Sequence, residues 1–152
     1  MKSPNFLRSA SILIAAIGLA DSLYLSIVKV MDTEVYCGGS SQCETVNASI
    51  YSEFAGIPIA FLGAGAFLVI LGLLVFENRS AFLRENSALI IFGLTLAGTL
   101  YSIYLTYIEI AVLRAICPYC VVSAVAQLLL LVIAIFRLVK IEPEPKYVRR
   151  GG

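Results

Sequence analysis

Hydrophobic positions fall along this chain in four long runs, at roughly 10–30, 57–76, 87–112 and 116–139. Each is close to the ~20 residues an α-helix needs to cross a ~30 Å hydrocarbon core. A segment in lipid must satisfy its own backbone polar groups, so all four are expected to be helices. The connection between the third and fourth runs is so short that these two helices should be antiparallel neighbours. The longest polar stretch, 31–56, follows the first run as a loop. The expected architecture is an all-α integral membrane protein: a four-transmembrane-helix bundle over 1–140, with one long outer loop and a disordered cytoplasmic tail at 141–152.

The first run has a second reading, as a signal peptide. Lys2 and Arg8 precede it, and Gly18-Leu19-Ala20 resembles a small-x-small cleavage site. The apolar pattern continues past Ala20 to Val30, which favours a retained helix. Composition agrees with a membrane protein: 60% of residues are apolar and 14% charged, against about 45–50% and about 25% in soluble domains. A net charge of +1 leaves no basic footprint for nucleic acid. With no histidine in the chain, histidine-based triads, general bases and metal ligands are excluded.

Charge then orients the bundle. With the N-terminus cytoplasmic, Lys2, Arg8, Arg79, Arg84, Arg137, Lys140, Lys146, Arg149 and Arg150 lie on the cytoplasmic side, leaving only Lys29 and Arg114 outside. That asymmetry satisfies the positive-inside rule and puts both termini in the cytoplasm. It also puts all four cysteines on the outer face, Cys37 and Cys43 in the long loop and Cys117 and Cys120 at the start of the fourth helix. In a bacterium that is the oxidising side, where disulfides persist.

The two pairs differ in kind. Cys117-Pro118-Tyr119-Cys120 is a C-x-x-C at a helix start, where free N–H groups and the positive dipole end favour a thiolate. Pro118 suits the first helical position. A ring this small gives little entropic stabilisation, so it makes a poor staple and a useful switch. Cys37 and Cys43 flank Gly38, Gly39 and a polar spacer, as befits a mobile pair that meets an outside partner and then the fixed pair. Exchange between thiols and disulfides needs direct attack of sulfur on sulfur. Two alternatives stand beside this relay. Four cysteines can bind zinc, although the five-residue spacer is long for such a site. Two structural disulfides in a non-enzymatic assembly or binding subunit are the other.

A thiol relay ending in a membrane needs a lipid-soluble acceptor, which points to a quinone. Cys120, Ser123, Ala124 and Gln127 share one face of the fourth helix by their spacing. Gln127 suits a quinone carbonyl or, in the preferred reading, contact between helices. Tyr101, Tyr104 and Tyr107 lie near the outer end of the third helix, where Tyr107 fits an interfacial belt and Tyr104 a quinone contact. Asp21 is an acid within a membrane span and so a functional candidate by default, or a hydrogen-bond partner for a neighbouring Ser or Tyr. Gly18-x-x-x-Ser22-x-Tyr24-Leu25-Ser26 echoes Gly98-x-x-x-Ser102-x-Tyr104-Leu105-Thr106, either as a trace of duplication or, in the preferred reading, as a shared small-residue packing face.

Taken together, these residues resemble a bacterial member of the vitamin K epoxide reductase family. The resemblance rests on Cys37-x5-Cys43, Ser49, the Phe54-Ala-Gly-Ile-Pro58 entry to the second helix, and Cys117-x-x-Cys120, and it covers roughly 12–138. It implies a helical bundle around a quinone such as ubiquinone or menaquinone, with the loop as a partial cover steadied by Ser49. It further implies that Cys37 faces a thioredoxin-like exported protein, Cys43 passes electrons to Cys117, and Cys120 meets the quinone. Ser49, Tyr104, Ser123 and Gln127 are the expected quinone contacts, no metal is called for, and one thiol of the helix pair should have a lowered pKa, foremost the one nearest the quinone. Animal members carry a tyrosine four positions after the second C-x-x-C cysteine; Ala124 stands there in this chain. No counterpart of their asparagine near the entry to the second helix is evident. Both departures favour quinone over epoxide reduction. The chain shows no fused thioredoxin-like domain, so the expected dithiol donor is a separate protein.

Overall fold

A computed structural model describes residues 4–39 and 41–140; the expected tail at 141–152 lies outside them. Helix α1 spans Pro4–Met31, α3 Ile59–Phe76, α4 Ala81–Tyr107 and α5 Pro118–Lys140, and each is long and apolar enough to cross a membrane. The last turns of α4 widen into a π-helix over Ile108–Leu113.

The long loop is more structured than its polar composition suggests. It holds a short helix α2 (Gln42–Asn47), a 3₁₀ turn (Ile50–Ser52), and a two-stranded antiparallel hairpin. Strand β1 (Glu53–Phe54) pairs with β2 (Ile57–Pro58) in the register Glu53 to Pro58. The turn between them uses Ala55 and Gly56, both at positive φ, and Pro58 leads directly into α3.

Helix α1 packs most extensively on α3 and α5, and α4 on α5. A core of Ala15, Phe67, Ile70, Leu74, Ile91, Ala126, Leu130 and Ala134 fills the bundle. Most large apolar side chains outside that core face outward, among them Leu68, Ile103 and Phe136, as expected where lipid replaces water. The two glycines of the internal echo serve close packing. A Cβ on Gly18 would run into the Phe67 ring, and one on Gly98 would lie 2.8 Å from the Gln127 amide carbon.

The two ends of the bundle are fastened differently. At one end, buried Glu77 pairs with Arg8 at 3.4 Å and Arg137 at 2.7 Å, tying α1, α3 and α5 together. Arg8 also donates to the carbonyls of Leu74 and Val75. The loop and all four cysteines lie at the opposite end, where α1 and the π-helix finish and α3 and α5 begin.

Candidate redox site

Two kinds of backbone present the cysteines. Cys117 directly precedes α5 and its carbonyl accepts the Val121 N–H at 3.1 Å. Pro118 takes the first helical position, where a missing N–H costs nothing. Cys120 follows within the first turn, so both thiols sit at the positive end of the α5 dipole. Cys43 lies on the short helix α2, and Cys37 in the stretch before it. Cys37 and Cys43 form a disulfide, whereas Cys117 and Cys120 are thiols. Two of the sulfurs are thus bonded to each other and do not form a set of four thiolate ligands.

All four cysteines meet in one place. Cys43 and Cys117 are buried in a single cluster with Val28, Val35, Val46 and Ala115, and Cys37 and Cys120 pack against it. The loop is pinned onto the bundle by a few polar contacts. The Lys29 ammonium donates to the Asn47 carbonyl at 2.8 Å and to Ser52 at 3.3 Å, and pairs with Glu53 at 3.6 Å. The Tyr119 hydroxyl donates to the Tyr36 carbonyl at 2.8 Å, and the Tyr36 N–H donates to the Tyr24 hydroxyl at 3.3 Å. The Ile116 N–H donates to the Gln42 side chain at 3.3 Å. Ser49 donates to the Val46 carbonyl at 2.7 Å, which steadies the cover from within.

Beneath the loop is a cavity of about 440 Å³, within the usual range for small-molecule sites. Cys43, Cys117 and Cys120 reach it, and so do Ser49, Ser123 and Gln127. Tyr104 does not: it is half exposed on the outside of α4, and Tyr101 lines the cavity in its place. The difference is one of helical phase, because residues three apart on α4 diverge by about 60°. Tyr107 is likewise exposed. Phe54 of the hairpin meets the Tyr101 ring edge-on at 6.3 Å, closing the cover over it. Ala124, where animal members carry tyrosine, also lines the cavity.

The intramembrane acid Asp21 finds its partner on α5, accepting the Ser123 hydroxyl. Having spent its proton there, Ser123 faces the cavity as an acceptor. Gln127 is buried, and its Oε1 has no hydrogen-bond partner among the described residues. A buried amide oxygen left without a donor carries a desolvation cost that a ligand hydroxyl would relieve. An apolar cavity with one orphaned amide oxygen suits a quinone-type headgroup, whose reduced form carries the hydroxyl that would donate to that oxygen.

Sequence reasoning missed Glu109. This carboxyl is buried, lines the cavity, and accepts the Cys117 N–H at 3.2 Å. Its one sequence signal is a charge inside an apolar run, eight residues before a cysteine. Glu109 continues the cavity-lining face of Gly98, Ser102 and Leu105, and the π-helical run closes after it with Arg114 at φ 51° and the Ala115 N–H on the Glu109 carbonyl. The Cys117 thiol is held below its ordinary pKa, foremost by a hydrogen bond from the Cys120 thiol. The sequence had assigned that lowering first to the cysteine nearest the quinone.

The model of the vitamin K epoxide reductase family matches residues 9–135. The chain belongs to that family. It is therefore a membrane-embedded helical bundle of a thiol-oxidoreductase family that works with quinones, and its Cys37–Cys43 disulfide fits that chemistry.

Proposed function

We propose that this protein is a quinone-dependent thiol oxidase. It takes electrons from the dithiol of a thioredoxin-like exported protein, and so supports disulfide formation on the outer side of a bacterial plasma membrane. The observation that carries this reading is the single cluster holding Cys37, Cys43, Cys117 and Cys120 beside a membrane-embedded cavity.

Cys37 is the less buried member of the loop pair and meets the incoming protein thiolate, forming a mixed disulfide. That attack breaks the Cys37–Cys43 bond and frees Cys43 as a thiolate, and the donor's second thiol then resolves the mixed disulfide and frees Cys37. Cys43, packed with Cys117 in the same cluster, then attacks the Cys117–Cys120 disulfide at Cys117 and releases Cys120 toward the cavity, and Cys37 attacks Cys43 in turn, re-forming the loop disulfide and freeing Cys117. A bound quinone supplies the two-electron sink. Gln127 and the Tyr101 hydroxyl are placed to orient it, Ser123 offers an acceptor, and Ser49 acts on the cover and not on the quinone. With the cysteine end outside, the Arg8, Glu77 and Arg137 cluster lies at the cytoplasmic face, in keeping with the positive-inside rule.

Cys43→Ser tests the relay. Reduced Cys43→Ser protein should still pass electrons to an added quinone once, through Cys117 and Cys120, yet fail to turn over with a protein dithiol. Full turnover in that variant would break the sequence of transfers.

A further inference from the structure

The relay leaves one buried ionisable group at the reacting sulfurs without a role. Glu109 is 5% exposed and lines the cavity. Its Oε2 accepts the Cys117 N–H at 3.2 Å, and the Cys120 thiol lies against the same carboxyl. Among the described residues no cation is ion-paired with it, since the salt bridges there involve Glu77 and Glu53. It stands on the π-helical run Ile108–Leu113, and such local widenings are frequent at functional sites.

We propose that Glu109 is the proton carrier of the helix pair, taking the Cys120 thiol proton and handing it to the quinone. The inference rests on the quinone reading above. Oxidation of the pair breaks the S–H bonds of Cys117 and Cys120 and forms the Cys117–Cys120 bond. Two electrons and two protons pass to the quinone, giving the quinol. Glu109 carries one of those protons: its carboxylate becomes the acid as Cys120 becomes the thiolate, and it returns to the carboxylate when the proton leaves for the quinone oxygen. At each stage the site holds one negative charge, on oxygen or on sulfur. Releasing the proton to distant water would instead separate charge across a poorly polarisable interior, which is far costlier. The Cys117 N–H fixes the carboxyl so that its second oxygen is free for exchange.

Glu109→Gln keeps an acceptor for the Cys117 N–H and removes the capacity to carry a proton; Glu109→Asp keeps the capacity and shortens the reach. Two measurements separate the roles. In reduced, quinone-free protein, the rate of Cys120 alkylation by iodoacetamide is followed against pH, with mass spectrometry locating the label. The carboxyl titrates coupled to the two thiols, Cys117 and Cys120, so the wild type and Glu109→Asp should show one step more than Glu109→Gln, in which only the thiol steps remain. Steady-state quinone reduction by Glu109→Gln should fall about 100-fold, within the usual range for loss of a general acid–base. An unchanged alkylation profile in Glu109→Gln overturns the proposal, whatever the turnover. Turnover within twofold of wild type also overturns it. If Glu109→Gln fails to assemble, a Glu109→Asp profile with thiol steps alone and no carboxyl step overturns it as well. Wild-type protein that never reduces quinone refutes the quinone reading instead, and the alkylation profile still reports on Glu109 alone.

Discussion

Lys29 is the strongest single attachment of the loop to the bundle, and its removal has a calculable effect. Its ammonium holds the Asn47 carbonyl at 2.8 Å, Ser52 at 3.3 Å and Glu53 at 3.6 Å, joining the end of α1 to α2, the 3₁₀ turn and β1. The side chain is 23% exposed and Glu53 46%, so the ion pair itself is worth less than about 1 kcal/mol. A hydrogen bond from a charged donor to a partly buried carbonyl contributes about 1.5 kcal/mol or more. Lys29→Met keeps the aliphatic stem and removes all three contacts, at a cost of about 2 kcal/mol to the closed loop. That corresponds to about a 30-fold rise in the open-to-closed ratio. Hydrogen exchange of backbone amides in 42–58 should accelerate by about that factor, with amides in the middle of α3 and α5 unaffected. A change below twofold would show that the ammonium does not hold the cover. Equal acceleration throughout the helices would show that Lys29 stabilises the bundle and not the loop.

Other expectations follow from the same geometry. Gln127→Leu removes a buried amide oxygen that lacks a partner, so it should leave the thermal midpoint in detergent unchanged or raised, while KM for a short-chain quinone rises about tenfold, a loss of about 1.4 kcal/mol in binding. Gly98→Ala puts a methyl against the Gln127 amide; that flexible amide can shift, so the variant should fold normally and raise KM in steady-state assays. Gly18→Ala meets the buried Phe67 ring instead, and overpacking there should cost about 1–3 kcal/mol in unfolding free energy. Glu77→Gln leaves Arg8 and Arg137 without their shared carboxylate, which should cost about 2 kcal/mol given the partial exposure of both arginines, read as a lower thermal midpoint with thiol chemistry intact.

The bundle was legible because membrane spans announce themselves by length and apolarity, and the candidate redox site because two pairs of cysteines fell at one end of those spans. Gly18 and Gly98 were readable as packing positions from their small-residue spacing, and contacts with Phe67 and Gln127 fill that role. Other features depended on information that a linear pattern lacks. Tyr101 and Tyr104 are both aromatic residues near the end of one helix, and only the phase of α4 against α3 and α5 decides which faces the cavity. Glu109 shares a helical face with Gly98, Ser102 and Leu105, but which face of α4 meets the cavity is set by its packing against the other helices, and a lone carboxylate near the outer end of a span reads equally well as an interfacial charge. The hairpin at Glu53–Pro58 is too short for alternation to show, and its turn residue Ala55 adopts a positive φ that sequence would assign to glycine or asparagine.

The division between rigid and releasable parts has a chemical logic. Cys117 and Cys120 sit at the start of a helix anchored along its length in the apolar core and at its far end by Arg137 and Glu77. Cys37 and Cys43 sit on a cover held by Lys29, the Tyr24, Tyr36 and Tyr119 contacts, and Gln42. A disulfide that must exchange with a passing protein has to expose a sulfur to in-line attack, and segments that open locally are those held by few contacts, many of them solvent-exposed. A sulfur that reacts inside the bilayer has the opposite need, a fixed distance and a dry setting. In the relay proposed above, two pairs on helices would keep Cys37 from meeting a partner, and two pairs on the loop would take Cys120 out of the cavity each time the cover opened. The boundary between the two regimes runs through the buried contact of Cys43 with the Cys117 cluster. Inward electron flow should therefore slow when that contact is held open, as in Lys29→Met, while direct oxidation of Cys117 and Cys120 by quinone proceeds at its normal rate.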